Sequence, residues 1–300
     1  MDSPDLPDLL DRLVREAVTA IDAGDVTTLE RLMAEHPRLL RDRLDAPGAW
    51  LRDKVGGALE GFFQKPYLLW FVAEDPVRNG QLPRNIAQVT RAIIEASQRE
   101  GVATLQEQLD YALRLVSSSW IARTCGVQIE LIDALVDAGA SPDGNPDNAL
   151  VNGNFAAAEH LVEHGATLTL ATALCLGRWD AVTRLAPTTS ARDKQFGFVL
   201  AALNGQAEAL RRMIDLGIDL NNPSADLYSH ATPLHHAVCS GSLEAVRVLV
   251  DAGANMSTRD TAWNGTPLGW AEYYEGEHAR DERGQQYAEI AAYLRATGGH

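Results

Sequence analysis

Apolar and polar residues alternate along much of this chain with the period of an α-helix. In residues 242–252 the polar side chains Glu244, Arg247 and Asp251 stand three and four positions apart, and mostly apolar residues lie between them. This spacing places the polar residues on one stripe of a helix whose other sides are apolar. The pattern predicts a helix that is buried over most of its surface, and Gly253 supplies the left-handed residue that ends it.

The same order of turn, helix and closing glycine occurs several times. Three segments are near copies of one another, at residues 131–144, 157–168 and 243–256. The glycines of the inter-helix turns lie 27, 24, 28 and 36 residues apart, and they are Gly126, Gly153, Gly177, Gly205 and Gly241. Self-similarity at such a period is typical of proteins built from stacked helical pairs.

Two short motifs indicate the kind of repeat. Residues 232–237 read T-P-L-H-H-A, and residues 266–271 read T-P-L-G-W-A. Thr232 can cap a helix, and Pro233 suits the first helical position because its missing N–H would be unpaired there. Together with the helices that follow it, the first motif resembles the signature of the ankyrin repeat.

This resemblance implies an all-α fold, an ankyrin-repeat solenoid of about eight helix-turn-helix units. Because several spacings are shorter than the family period of about 33 residues, some units are expected to have shortened β-hairpin fingers. The expected units lie near residues 6–44, 66–101, 108–140, 146–166, 170–187, 195–218, 232–254 and 266–298.

A stack of repeats buries one continuous apolar spine, so we predict a single domain over residues 1–300. Residues 1–104 would hold divergent N-terminal repeats with an insert, and residues 105–300 the clearer repeats. The segment at residues 46–64 is apolar and fits no repeat.

Charge narrows the range of partners. The 300-residue chain has 41 acidic residues against 26 Lys and Arg, which gives a formal net charge of −15. Such a surface repels phosphate backbones and anionic headgroups, so we expect neither nucleic acid nor a membrane as partner. The acidity either keeps the protein soluble or steers a basic partner protein, and both interpretations stay open.

Two further features bear on the cell compartment. The three cysteines have no C-x-x-C spacing, and residues 1–12 are acidic, without the basic and apolar run of a secretory signal. No segment approaches the roughly 18 consecutive apolar residues that span a membrane. These features predict a cytoplasmic protein with reduced thiols.

Histidines are the first candidates for chemistry. The ankyrin resemblance implies that His235 is structural and ties neighbouring hairpins together by hydrogen bonds. His235 and His236 are adjacent on a helix, about 100° apart, which is poor geometry for a shared metal, with or without the nearby His230. His160 and His164 have the favourable spacing of four but lack the Glu of H-E-x-x-H, so we interpret them as surface residues.

A charged insert is expected at residues 276–286, before a helix at 287–294. Four of its side chains could together bind a divalent ion: Glu277, His278, Asp281 and Glu282. The arginines between them favour a solvated, self-neutralising extension instead. No nucleophile, phosphate-loop or dinucleotide motif occurs, and we therefore predict no catalytic residue, no cofactor and no metal site.

The resemblance also implies where a partner protein would bind. Ankyrin repeats hold partners with the residues before T-P-L and with those just before the inter-helix glycine. Carried over to the last two units, these positions hold several aromatic rings, which are favoured anchors of protein interfaces. The predicted partner-binding residues are Tyr228, Ser229, Trp263, Asn264, Tyr273 and Tyr274. Alternatively, the rings close the end of the stack; two other indoles, Trp70 and Trp120, are predicted to fill the core.

We therefore predict a non-catalytic module, not an enzyme, that binds a partner protein through the concave face of its C-terminal repeats. The alternative is an enzyme, or a small-ligand or metal-binding protein, with its site in the groove or beside residues 276–286. Self-association through residues 46–64 is a third hypothesis, so the oligomeric state stays open.

Overall fold

The protein is all-α in a computed structural model that describes residues 6–298. The chain divides into two compact units between Thr167 and Leu168. Over the described range no β-strand forms, and an isolated bridge between Ser224 and Leu227 stands where a hairpin finger is expected. The outermost ends of the predicted single domain, residues 1–5 and 299–300, lie outside the described residues.

The first unit contains ten α-helices within the described range and two 3-10 helices. The α-helices are α1 (Leu6–Ala23), α2 (Val26–Glu35), α3 (Arg38–Arg41), α4 (Ala49–Val55), α5 (Ile86–Arg99), α6 (Leu105–Ser118), α7 (Trp120–Thr124), α8 (Gln128–Asp137), α9 (Asn145–Val151) and α10 (Phe155–Glu163). The 3-10 helices span Gly56–Glu60 and Leu68–Ala73.

The second unit continues the helical pattern. Its helices are α11 (Leu170–Cys175), α12 (Trp179–Leu185), α13 (Ala191–Leu203), α14 (Ala207–Asp215), α15 (Pro233–Cys239), α16 (Leu243–Asp251), α17 (Pro267–Glu277) and α18 (Glu282–Ala296). No helix among residues 6–298 combines the length and the apolar character needed to cross a membrane.

Helices pack as the pairs that the repeat pattern predicts. The contacting pairs are α1 with α2, the 3-10 helix Leu68–Ala73 with α5, α6 with α8, α9 with α10, α11 with α12, α13 with α14, α15 with α16, and α17 with α18. These pairs fall in the eight predicted units, and the all-α expectation is confirmed.

Local chemistry explains why the helices begin and end where they do. The Thr232 side chain and His235 form a reciprocal cap at the start of α15, and the Ser242 hydroxyl accepts a hydrogen bond from the Ala245 N–H at 3.2 Å at the start of α16. Gly241 and Gly253 have φ values of +75° and +95°, a backbone region in which a Cβ atom is strained. The turns predicted at these two glycines are confirmed.

The core of the second unit fixes the position of its last two helices. Phe198, Tyr287 and Ile290 are fully buried in one apolar cluster that runs from α11 to α18. The Tyr287 hydroxyl also donates a hydrogen bond to the Cys239 carbonyl at 2.8 Å, which ties α18 to the end of α15. Helix α17, which carries most of the candidate site, packs on α15 and α18 and is held from both sides.

The charged insert is shorter than predicted. Helix α17 runs to Glu277 and α18 begins at Glu282, so most of residues 276–286 are helical and the second helix starts earlier than 287. The Asp281 side chain caps α18 by accepting the Arg283 N–H at 2.9 Å. Gly284 permits this tight turn, because a Cβ atom there would lie 2.4 Å from the His278 carbonyl oxygen.

The two indoles assigned to the core differ. Trp70 is buried, with its ring 4.3 Å from that of Tyr111 between centroids, as predicted. The prediction for Trp120 is wrong, because its side chain is 53% exposed. Trp120 is the first residue of the short helix α7, and the next two residues, Ile121 and Ala122, take the inward positions.

Candidate functional site

Aromatic side chains converge where the loop before α17 meets the first turns of that helix. Trp270, Tyr273 and Tyr274 are spaced three and four apart, which places them on one face of α17. Trp263 reaches the same place from the preceding loop. Together these four side chains and the backbone of Gly265 and Gly269 line a cavity of about 520 Å³, called here the aromatic pocket.

The rings of the aromatic pocket meet mostly edge to face. Trp263 and Trp270 have centroids 5.7 Å apart at 65°, and Trp270 and Tyr274 have centroids 6.3 Å apart at 79°. Tyr273 lies 5.5 Å from Tyr274 at 70°. Since Trp263 is 69% and Tyr273 62% exposed, both rings offer much of their surface to solvent. The pocket is therefore an open, apolar recess with ring surfaces directed along different axes.

Gly269 explains why a recess exists. It occupies the fourth position of T-P-L-G-W-A, where the other motif has His235. With no side chain at this position, the lining is made by backbone and by the neighbouring indole of Trp270. A larger residue would occupy space that now belongs to the cavity.

Asp260 holds the loop that carries Trp263. Only 3% of the residue is exposed, and one carboxylate oxygen accepts the N–H groups of Ala262 at 2.9 Å and Trp263 at 2.6 Å. The other oxygen accepts the Gly265 N–H at 2.8 Å and the Trp270 indole N–H at 2.9 Å. Four donors on one carboxylate fix the backbone of Trp263 relative to the indole of Trp270.

The same contacts keep Asp260 ionised. Burial alone would raise the pKa of this carboxyl group, but the hydrogen bonds from Trp263, the Trp270 indole and Gly265 outweigh burial and lower its pKa to about 2. A negative charge therefore lies directly behind the aromatic pocket at neutral pH, bonded to the edge of one of its rings.

His235 links the two T-P-L units. Its Nδ1 atom lies 2.8 Å from the Thr232 hydroxyl, and its Nε2 atom lies 3.1 Å from the Gly265 carbonyl oxygen. Burial lowers the pKa of His235, although the hydrogen bond to Gly265 opposes the shift. The side chain is fully buried. These contacts agree with the structural role implied for His235 and connect α15 to the loop of the aromatic pocket.

The structure brings three of the six predicted partner-binding residues into one cavity, namely Trp263, Tyr273 and Tyr274. Tyr228 is half exposed and lies further back, with its ring 6.3 Å from that of His230, which in turn contacts Trp263 at 5.0 Å. Ser229 and Asn264 are exposed, and Asn264 has a left-handed backbone with φ of +58°.

Sequence reasoning missed Trp270 and Asp260. Trp270 is visible in the T-P-L-G-W-A motif, and its position directly after Gly269 is the signal that could have placed it at the cavity. No comparable signal marks Asp260, because its role depends on donors that lie up to ten residues away in the folded loop.

The four candidate metal ligands of the insert do not form a common site among the described residues. His278 pairs with Asp281 at 2.9 Å, and its ring stacks on Tyr287 with centroids 5.6 Å apart. Among the described residues, the insert does not bring three ligating atoms together, and neither does the group of His230, His235 and His236.

His236 predicts a pH dependence of stability. The residue is 2% exposed, and its buried Nε2 atom has no hydrogen-bond partner among residues 6–298. Burial, with smaller contributions from His230 and His235, lowers the pKa of His236 from 6.5 to about 4. The unfolded chain therefore binds a proton that the folded chain does not, so stability is complete above about pH 6.5 and falls as the pH decreases towards 4.

We expect this loss to reach about 3 kcal/mol, at about 1.4 kcal/mol per pKa unit. Denaturant unfolding between pH 7.5 and pH 4.5 measures it. His236→Gln, which cannot titrate, should flatten the profile in this window. An equal slope in the variant and the wild type would show that other groups cause the dependence.

Comparisons with known proteins agree with the repeat pattern. A family model described as "Ankyrin repeats (3 copies)" matches residues 148–260. Cyclin-dependent kinase 4 inhibitor B of Bos taurus is 32% identical over 129 residues, which cover 33% of this chain and 89% of that protein. The human ASB11 ankyrin repeat domain is 19% identical with a TM-score of 0.33, and the match covers 68% of this chain and 94% of that one.

Other relatives match over a small part of their length. Potassium channel GORK of Arabidopsis thaliana is 36% identical over 64 residues, which are 21% of this chain and 7% of the channel. Serine/threonine-protein kinase 12 of the same plant is 35% identical over 74 residues, which are 25% of this chain and 15% of the kinase. The similarity to these two proteins therefore concerns one short region of each.

Proposed function

Since this chain belongs to the ankyrin-repeat family, we propose that it is a non-catalytic protein-binding module whose aromatic pocket receives a cationic side chain, Lys or Arg, of a partner protein. Ankyrin repeats generally act as protein–protein interaction modules, and the bovine relative is named as an inhibitor of cyclin-dependent kinase 4. The observation that carries the proposal is the cluster of Trp263, Trp270, Tyr273 and Tyr274 around one open cavity, in which Trp263 and Tyr273 are exposed.

The form of the pocket supports a cation as occupant. The faces of indole and phenol rings attract an ammonium or guanidinium group, and the attraction is worth about 0.5–2 kcal/mol per contact. The ionised carboxylate of Asp260 accepts the Trp270 indole N–H, which places negative charge at the back of the recess. Residues Glu275 and Glu277 follow the two tyrosines on α17.

The charge of the whole chain favours the same occupant. At a formal net charge of −15, the surface attracts basic proteins over distances of about one Debye length, about 8 Å at physiological salt. Arg259, in the loop before α17, donates from its guanidinium to the Asn264 carbonyl at 2.7 Å, and Arg295 pairs with Glu272 at 2.8 Å, so both cations are engaged. A basic partner would therefore meet rings and carboxylates at this end of the second unit.

Removal of two rings from the pocket tests the proposal. We expect the double variant Trp263→Ala, Tyr273→Ala to lose capture of its partner from a native lysate by at least about 30-fold, because central aromatic anchors contribute about 2 kcal/mol or more to binding. Its helical circular dichroism should be unchanged, since both side chains are largely exposed. Quantitative mass spectrometry of the captured proteins gives the measurement.

Two controls sharpen this experiment. Trp120→Ala removes an indole of similar exposure from the first unit and should retain capture. Arginine amide in excess should compete with the partner, whereas citrulline amide, which is similar in shape but neutral, should not. Retention of the same partner by the double variant would reject this face, and equal competition by the two amides would reject a cationic occupant.

A further inference from the structure

Three potential metal ligands converge in the first unit, whereas the aromatic pocket belongs to the second. Asp133 projects from α8, His160 from α10, and His164 directly follows the end of α10. One ligand atom of each, a carboxylate oxygen and two imidazole nitrogens, lies within 4.8 Å of the other two. Sequence spacing showed only the pair of histidines; the carboxylate comes from the neighbouring repeat.

The separations suit one small ion. His160 Nε2 lies 2.6 Å and His164 Nε2 lies 3.9 Å from the same Asp133 oxygen, Oδ1. Zinc–nitrogen and zinc–oxygen bonds of about 2.0–2.2 Å place the ligands of a tetrahedral zinc ion about 3.4 Å apart. The two distances to Asp133 Oδ1 fall on either side of that value, and all three ligand atoms lie within 4.8 Å of one another.

A hydrogen bond at Nδ1 of His164 orients its other ring nitrogen, Nε2, for metal binding. Its Nδ1 atom lies 2.8 Å from the His160 carbonyl oxygen, which can only accept a hydrogen bond. The ring proton is therefore on Nδ1, and the lone pair is on Nε2, the atom that faces Asp133. A hydrogen bond from the distal nitrogen to a carbonyl is also the usual support of a metal-binding histidine.

The chemistry of the three ligands selects the metal class. Two imidazoles and one carboxylate suit zinc and its neighbours, whereas calcium and magnesium prefer oxygen ligands alone. The Asp133, His160 and His164 side chains are 34%, 20% and 39% exposed, so an ion can enter from solvent. Asp137, one turn after Asp133 on α8, adds exposed negative charge to this surface.

We propose that Asp133, His160 and His164 form a binding site for a divalent transition-metal ion, with zinc as the preferred ion. The ion would replace the proton shared in the Asp133–His160 pair and would link α8 to α10, the second helices of two adjacent repeats. Three protein ligands leave a fourth coordination position for water or for a group of a partner molecule. The bound ion would cross-link two adjacent repeats. This proposal does not depend on the aromatic pocket.

Zinc titration of the full chain tests this site. After treatment with a chelator and under reducing conditions, the wild type should bind one Zn²⁺ per chain through these residues in competition with a chromophoric chelator. Asp133→Asn, His160→Gln and His164→Gln should each weaken that binding at least about tenfold. This is the smallest loss expected when a residue that only supports a metal ligand is removed. Zinc should also raise the thermal midpoint of the wild type, because a ligand that binds the folded state stabilises it.

A matched control separates the site from ordinary His–Asp pairs. His278→Gln removes a histidine that lies 2.9 Å from Asp281 but belongs to no group of three ligating atoms among the described residues. This variant should keep full zinc affinity. If His160→Gln disturbs folding, the His164→Gln variant still tests the site, because the His164 side chain is more exposed. Equal zinc affinity in the wild type, His164→Gln and Asp133→Asn would overturn the proposal and assign the binding to other groups, such as the cysteines.

Discussion

Replacement of Asp260 by asparagine is expected to lower the free energy of unfolding by about 3 kcal/mol and to weaken partner capture at the same time. Each carboxylate oxygen accepts two hydrogen bonds, one pair from Ala262 and Trp263 and the other from Gly265 and Trp270. An asparagine has one acceptor oxygen, so either orientation of its amide points an NH₂ group at two N–H donors that lose their acceptor. The loop must then open, and Trp263 loses its fixed position beside Trp270.

Thermal or denaturant unfolding of the full chain measures the loss, and the capture assay measures its effect on binding. Asp226→Asn is the matched control in the same unit. The Asp226 carboxylate is 36% exposed and pairs with an Arg192 side chain that is 70% exposed, so its loss should cost much less than the loss of the Asp260 carboxylate. A stability of Asp260→Asn within about 0.5 kcal/mol of the wild type would show that the loop does not depend on this carboxylate.

Acid gives a second check on the same residue. Because the pKa of Asp260 is lowered from 3.8 to about 2, its contribution is present above pH 4 and is lost as the pH falls through 2. The loss that involves His236 occurs at higher pH, between 6.5 and about 4. Variants of the two residues should therefore alter different parts of one stability profile.

The helical pairs could be predicted because their signals are local. Glycine at a turn, a hydroxyl at a cap and proline at the first helical position each act within a few residues, and T-P-L combines two of them. Trp120 shows the limit of such reasoning. A large apolar indole is usually buried, but Trp120 is exposed because it stands at the first position of α7. In so short a helix, only packing against the neighbouring elements decides which residues face inward.

The candidate sites could be predicted only where their residues belong to one repeat. Tyr273 and Tyr274 share a helix, and the repeat pattern marks their position. The zinc ligands differ, because Asp133 stands 27 residues before His160 and no motif of this spacing connects them. Stacking of adjacent repeats creates that contact, so residues of equivalent helices in neighbouring units are where further unrecognised sites of this chain should be sought.

A buried ion pair in the first unit leads to the second prediction of large effect. Glu74 is fully buried at the end of the 3-10 helix Leu68–Ala73, with a left-handed backbone at φ of +52°. One of its oxygens accepts N–H groups from Arg78, Asn79 and Gly80. The other lies 2.9 Å from the Arg78 guanidinium.

The arginine of this pair is held by other groups as well. Arg78 donates to the Phe71 carbonyl at 2.8 Å and to the Asp22 carboxylate of α1 at 3.0 Å. Its side chain is 3% exposed, so these partners, and not water, stabilise its positive charge. Glu74 therefore closes the loop after the 3-10 helix and also neutralises the cation that joins this loop to α1.

Glu74→Gln is expected to lower the free energy of unfolding by about 3–5 kcal/mol, because the buried charge of Arg78 would keep only the partly exposed Asp22 carboxylate as its counter-charge. The thermal midpoint should fall by roughly 10 °C. Glu95→Gln provides the matched control, since Glu95 and Arg99 form a pair 3.9 Å apart whose side chains are 63% and 66% exposed, and its loss should cost less than about 0.5 kcal/mol. Similar midpoints for the two variants would mean that water reaches Arg78 when Glu74 is neutral, and that the loop is more open in solution than its buried contacts indicate.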